Sequence, residues 1–152
     1  MNILSASIAS TILAATLAVP AVAQDVFADT EQFYAAFATA LNSDDVAAIQ
    51  ALYAEGVVFV PGPGVALNKT EDIVGALGQF AAMSDKFDVK LRSVYESGDT
   101  LLAVADWTLV GKAQDGAPIT LSGSTADVLR RSSDGKLLVL IDNPFGSALP
   151  QQ

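Results

Sequence analysis

Asp127 is the acid whose place in the sequence most invites chemistry. Along Ile119 to Arg131 the odd positions are Ile119, Leu121, Gly123, Thr125, Asp127 and Leu129, and they are more apolar than the even ones. A strand sends alternate side chains to opposite faces, so parity turns Asp127 inward with its apolar neighbours. An ionised carboxylate buried without partners is costly, so Asp127 must be hydrogen-bonded, paired, or neutral with a raised pKa. Satisfied by backbone or hydroxyl donors, it is structural; open to a cavity, it is an acid or the anchor of a polar ligand group. The 152 residues contain no histidine and no cysteine. That removes the commonest general base, all thiolate chemistry and the usual ligands of zinc. Catalysis is left to carboxylates, Tyr, Ser, Thr, Lys, Arg and backbone groups. No cofactor or metal is expected, and an all-carboxylate magnesium or calcium site is the one arrangement the composition leaves open.

Other groups are ambiguous. Trp107 with Tyr34, Tyr53 and Phe59 suits an aromatic cavity wall or plain core. Asp106 escapes the parity argument, because Leu101 to Val110 is apolar on both faces. Asp142-Asn143-Pro144 either aims polar groups at a cavity mouth or simply ends a strand. Arg130 and Arg131 put one cation on each face, one to pair with an acid and one for solvent. Pro61-Gly62-Pro63-Gly64 has turn composition and lacks the Lys-Ser/Thr ending of a phosphate loop, so a simple connection is expected there.

The elements that must position these groups divide the chain in two. Asp29-Thr30-Glu31 opens a helix in which Phe33, Phe37, Ala40 and Leu41 recur at helical spacing, with Tyr34 beside them. Asn42-Ser43-Asp44-Asp45 stops it and caps a short second helix with Val46, Ile49, Leu52 and Tyr53 as its stripe, ended by Gly56. Val57 to Val60 reads as a strand, and Thr70 as the cap of a third helix that turns Ile73, Val74, Leu77, Phe80 and Ala81 inward. Strand-type runs then follow at Phe87 to Glu96, Leu101 to Gly111, Ile119 to Arg131 and Leu137 to Asp142. Turn residues separate them, at Ser97-Gly98-Asp99, Gln114-Asp115-Gly116 and Ser133-Asp134-Gly135-Lys136. In the first run Phe87, Val89, Leu91 and Tyr95 fall on the buried side. This order predicts an α+β fold, a curved antiparallel sheet wrapped around three N-terminal helices. Leu101 to Val110, apolar on both sides, predicts helices on one face and a further cover on the other, with a second subunit as one candidate for it.

Met1 to Gln24 carries no charged side chain, Ile3 to Val19 is mostly apolar, and Pro20 leads into Ala21-Val22-Ala23. That small-x-small ending predicts an export signal over residues 1–23, cut after Ala23, although Met1-Asn2 lacks the usual Lys or Arg. An uncleaved membrane anchor is the alternative. The expected product is one domain over residues 24–152, periplasmic or secreted, with no stable membrane association. It carries all 17 acids and 8 bases, a net charge of −9. Such a surface repels phosphate backbones and anionic lipid, so no nucleic-acid partner is expected.

Leu41-Asn42-Ser43-Asp44-Asp45 followed by Leu52-Tyr53-Ala54-Glu55-Gly56-Val57-Val58-Phe59 resembles the opening of the NTF2-like superfamily, which includes ketosteroid isomerase and the SnoaL-like polyketide cyclases. Trp107 to Gly111, Asp127-Val128-Leu129-Arg130-Arg131, and Asp134-Gly135-Lys136 through Gly146 resemble its DUF4440 or YybH-type branch of ketosteroid isomerase homologues. The resemblance implies an NTF2-like, cystatin-like cone: an apolar cavity between helices and concave sheet, often in a dimer. Ketosteroid isomerase uses an Asp base and an oxyanion hole of a Tyr and a protonated Asp. Aligned on Leu41-Asn42, this chain has Phe37 at the Tyr position, Pro61 at the base position and Asp127 at the protonated Asp. Glu55 and Asp142 are the nearest acids that could replace the base, and nothing in the sequence promotes either.

Three functions fit these expectations. The favoured one is an exported domain that binds a small, mainly apolar molecule in its cone, lined by Tyr34, Phe37, Phe59, Trp107 and Asn143 and anchored by Asp127. It need not catalyse, and steroid isomerisation is not expected. The second is an isomerase, cyclase or hydratase with a rearranged acid–base pair and Asp127 as catalytic acid. The third is a non-catalytic module, a homodimer formed through the outer sheet face.

Overall fold

A computed structural model describes residues 21–146, with side-chain surroundings from Asp25 onward. The expected export signal lies outside the described residues except for its last three. The elements are α1 (Ala21–Asn42), α2 (Val46–Ala51), β1 (Tyr53–Gly62), β2 (Val65–Leu67), α3 (Thr70–Ala82), β3 (Ser84–Ser97), β4 (Thr100–Lys112), β5 (Pro118–Ser124), β6 (Asp127–Arg131) and β7 (Leu137–Asp142). The strands form one sheet in the order β2-β1-β7-β6-β4-β3, with β5 paired to β4. All pairings are antiparallel except β1 with β7. No helix among the described residues is long and apolar enough to cross a membrane.

The helices depart from expectation at their ends. α1 is already helical well before Asp29, and fully buried Thr30 turns its hydroxyl back to the Val26 carbonyl at 2.7 Å. Asp45 caps α2 as expected, accepting the Ala48 N–H at 2.9 Å. α2, however, stops at Ala51, and Tyr53 is the first residue of β1 rather than part of a helical stripe. The Leu52 carbonyl accepts the Val139 N–H at 2.9 Å, so pairing with β7 captures the chain one residue after the helix. Gly56, at φ 73°, lies inside β1 and permits the bulge between the Tyr53–Val139 and Val58–Ile141 pairs. Pro61 to Gly64 joins β1 to β2 as a hairpin. Thr70 is the first residue of α3 rather than its cap; Lys69 holds that position with no side-chain bond.

In the sheet, inward residues make a core around Leu41, Ile49, Leu101, Leu109 and Leu129, each almost fully buried. β4 shows single-sided burial: Leu101, Ala103, Ala105, Trp107 and Leu109 face the helices, and Leu102 and Val110 remain 42% and 45% exposed. Asp106 is on the outer face, bonded to Arg92 and to Ser124 Oγ, each at 2.8 Å. Tyr95 is 63% exposed, not inward, because a bulge between Leu91 and Ser93 reverses the phase of β3 and brings Val94 against the core instead. The run from Ile119 to Arg131 is split at Thr125-Ala126, yet both pieces keep one register on β4, with Ser124 opposite Asp106 and Asp127 opposite Ala103. Parity therefore survives the break. Of the two arginines, Arg131 pairs with Asp29 at 2.9 Å and Arg130 is exposed.

Gly111 marks the tightest junction between α3 and the sheet. The Lys112 N–H donates to the Met83 carbonyl at 2.9 Å, and a Cβ on Gly111 would lie 1.8 Å from that oxygen. Backbone cannot yield as a side chain tip can. Gly111→Ala is expected to cost about 3 kcal/mol, at the upper end for overpacked sites, measured as a lower urea midpoint with unchanged slope.

Candidate functional site

Two Tyr–Asp pairs converge at the end of the sheet. Asp127 opens β6 and Asp142 closes β7, and they stand opposite each other, bracketed by the Val128–Ile141 pair and the 3.0 Å bond from the Ala126 N–H to the Asn143 carbonyl. Both are buried, at 6% and 8% exposure. Tyr34, on α1, donates its hydroxyl to Asp127 Oδ2 at 2.7 Å, and the Asn143 N–H donates to Oδ1 at 2.8 Å. Thr125 Oγ1 lies 3.5 Å from the Tyr34 hydroxyl. The Tyr53 hydroxyl donates to Asp142 Oδ2. Among the described residues nothing bonds Asp142 Oδ1.

These carboxylates form the polar end of a cavity of about 330 Å³. Its walls are aromatic: Phe80, Phe87 and Phe145 surround Trp107 with ring centroids 5.8, 6.1 and 5.8 Å from it, and Phe37 meets Phe87 at 6.1 Å. The Trp107 indole N–H donates to the Pro144 carbonyl at 2.7 Å, holding the turn after β7 against the cavity. Among the described residues no three acidic groups gather as a metal ion would require.

Electrostatics separates the two acids. Burial pushes the Asp142 carboxyl up, the Asp127 charge across the strands pushes it the same way, the Tyr53 bond offsets part of this, and its pKa stands at about 8. Burial also raises Asp127, but the nearby Thr125 hydroxyl and the bonds from the Asn143 backbone and Tyr34 stabilise its anion. Two neighbouring carboxylates cannot both ionise cheaply, so the pair gives up its protons in two steps, with Asp127, whose anion is hydrogen-bonded, the first to ionise and Asp142 the last. With Oδ2 accepting from Tyr53, the Asp142 proton belongs on Oδ1. Burial, with the carboxylates adding to it, raises both tyrosine hydroxyls and keeps them neutral donors. The site thus holds an acceptor and a donor side by side in an apolar hollow.

Of the residues singled out in the sequence, Tyr34, Phe37, Phe59, Trp107 and Asp127 line the cavity. Asn143 does not; its side chain donates to the Gly146 carbonyl at 3.0 Å, and it serves the site through its backbone N–H. Phe37 is part of the wall as Phe, and the helix-one hydroxyl comes from Tyr34, one turn earlier. Pro61 lines the cavity without a carboxylate, and Glu55 is exposed elsewhere. Asp142, which nothing in the sequence promoted, is the second acid. From Leu137 and Val139, parity points Ile141 inward and Asp142 outward. An extra residue at Leu140 relative to β6 reverses this, so Ile141 is 38% exposed and Asp142 is buried.

A family model described as the SnoaL-like domain matches residues 31–139. No curated protein matches the chain significantly. Among solved structures, a conserved protein from Planctomyces limnophilus is similar at 16% identity with a TM-score of 0.69, over 78% of this chain and 94% of that one. A ketosteroid isomerase-like protein from Erwinia carotovora atroseptica is similar at 19% identity and TM-score 0.62, over 76% and 92%. ActVI-ORFA from Streptomyces coelicolor is similar at 22% identity and TM-score 0.62, over 77% and 94%.

Proposed function

The chain belongs to the SnoaL-like domain family of the NTF2-like superfamily, and from that premise we propose that it binds one small, mainly apolar molecule in its cone as an exported protein. The observation that carries this reading is the side-by-side placement of Asp127 and Asp142 at the end of an aromatic cavity of about 330 Å³. That volume lies at the small end of the ~300–1,000 Å³ typical of ligand sites. Evolution of a plain core favours filling such a space and removing its acids, since each buried charge costs stability. A ligand with one polar group accounts for both features.

The test is native mass spectrometry of the purified protein beside its Asp127→Asn variant. A small molecule is expected to co-purify with the wild type, and its occupancy is expected to fall at least tenfold in the variant, which loses the anion that anchors it. An empty wild type that also takes up no hydrophobic probe refutes the reading.

A second reading, an isomerase, cyclase or hydratase, is favoured by the protonation of the pair. A donor at Asp142 Oδ1 beside an ionised Asp127 is the arrangement general acid–base catalysis needs. Asp142 then supplies the proton and Asp127 receives one, a division of labour different from that expected of Asp127 alone. Turnover lost in both Asp127→Asn and Asp142→Asn, with ligand binding only weakened, identifies it.

Assembly is a separate part of the proposal. On the outer face, Tyr95, Leu102, Val128, Ile141 and Val58 form one cross-strand row over β3, β4, β6, β7 and β1. Three of them, Tyr95, Leu102 and Ile141, are exposed at 63%, 42% and 38%. This row supports a homodimer through the sheet face. Leu102→Arg, at the middle one of these three, is expected to convert the dimer to a monomer in sedimentation velocity while leaving Trp107 emission unchanged; a wild-type monomer at high concentration rules the dimer out.

A further inference from the structure

We propose that the polar group of the cavity's ligand is a cation, so that the ligand is a small hydrophobic amine or ammonium. Its head sits against Asp127 and Asp142 and its body against Trp107, Phe80 and Phe87. This rests on the small-molecule reading above and names the class of molecule.

Three independent observations support it. No Lys or Arg lines the cavity, and the five ion pairs among the described residues leave out both Asp127 and Asp142. The cavity therefore holds a net negative charge with no protein cation to balance it. Asp142 is more than nine-tenths buried and lines the cavity, and its Oδ1 accepts no bond among the described residues. That oxygen is left without a protein partner on a residue of the cavity wall. Finally, the walls are aromatic, and the negative faces of aromatic rings attract a desolvated cation. A neutral alcohol or ketone, which leaves the buried anion unbalanced, can hydrogen-bond here. A cation does that or its Coulombic equivalent, balances the buried anion, and uses the ring faces as well.

The arrangement ties binding to proton release. The titratable groups facing Asp142 are Asp127 from β6, Tyr34 from α1 and Tyr53 from β1. From α3, β3, β4 and β5 the cavity receives only uncharged side chains, such as Gln79, Phe80, Phe87, Trp107 and Leu121. No other charge competes for the cation. A cation bound beside Asp142 favours loss of its proton, so affinity rises with pH until Asp142 is ionised in the free protein as well.

The test uses benzyltrimethylammonium, whose charge does not vary with pH, and neopentylbenzene, its uncharged isostere. Binding to the full protein is followed by the emission of Trp107, the one tryptophan of the chain and part of the cavity wall. At about pH 8 the cation is expected to bind at least tenfold more tightly than the isostere. Its advantage shrinks toward about pH 5, and calorimetry in buffers of different ionisation enthalpy shows protons released on binding. Asp142→Asn, checked for its fold by near-ultraviolet circular dichroism, is expected to abolish the proton release. Equal affinity for the two probes at every pH, or binding of the isostere alone, overturns the cation and leaves the small-molecule reading standing. Failure of both probes to bind overturns the two together.

Discussion

Raising the pH from about 5 to about 9 is expected to remove several kcal/mol of folding stability, and Asp142→Asn is expected to abolish most of that loss. In the native protein Asp142 holds its proton up to about pH 8, whereas an unfolded Asp releases it near pH 3.9, about the ordinary value. The raised pKa contributes stability that is fully present below the unfolded value. Between the two values the native state binds more protons than the unfolded state, so stability falls as pH rises, by about 1.4 kcal/mol per pH unit for a single group. The fall ends above the folded pKa, where both states are ionised and the native state holds two adjacent buried charges. Burial raises Asp127 as well, and its contribution has the same sign. Asparagine at position 142 keeps a carbonyl oxygen for the Tyr53 hydroxyl and has nothing to ionise. Urea unfolding across this range should therefore give a sloping wild-type profile and a much flatter one for the variant, which becomes the more stable of the two at the alkaline end. Parallel profiles would mean that Asp142 titrates as a surface acid.

Asp127→Ala is expected to cost about 3 kcal/mol and to change the titration of its neighbour. The substitution leaves two donors without their acceptor, the Tyr34 hydroxyl and the Asn143 N–H. Each buried donor left unsatisfied costs about 1–3 kcal/mol, and relief from burying a carboxylate returns part of that. Because these donors come from α1 and from the end of β7, the loss also loosens the attachment of helix to sheet. Removing donor and acceptor together should do less harm than the sum of the parts. In a cycle of Tyr34→Phe and Asp127→Leu, the double variant is expected to be more stable than additivity predicts, by about 1 kcal/mol or more. Additive losses would mean that the Tyr34–Asp127 bond does not stabilise the fold. Loss of the Asp127 charge should also lower the Asp142 pKa toward the ordinary range, since that charge is the second cause of its rise.

Burial in β6 was legible from sequence because alternation is a local property and the break at Thr125-Ala126 leaves the register on β4 intact. For the same reason Phe87, Val89 and Leu91 were placed correctly, and the order of helices and strands revealed the class of fold. Bulges defeated the same rule. One after Leu91 sent Tyr95 outward, and one at Leu140 turned Asp142 inward, and neither carries a glycine or proline to announce it. Tyr53 was misread for another reason. Its neighbours support helical spacing, and only the distant β7, by taking the Leu52 carbonyl, decides that the helix stops. Half of the carboxylate pair thus depended on long-range pairing that a single sequence does not display. The cavity follows from local cues more directly: Phe37, Phe59 and Trp107 were recognisable as wall residues, while Phe80 and Phe87 read as ordinary core.

The central feature is a pair of buried acids that share a single proton at the end of an apolar hollow. Carbon-13 NMR titration of the side-chain carboxyls, assigned with Asp127→Asn and Asp142→Asn, reports on it residue by residue. The expected result is an Asp142 carboxyl that titrates near pH 8 and an Asp127 carboxyl that is already ionised there, each shifting when the other is replaced. Two carboxyls titrating independently in the ordinary range near pH 4 would contradict it.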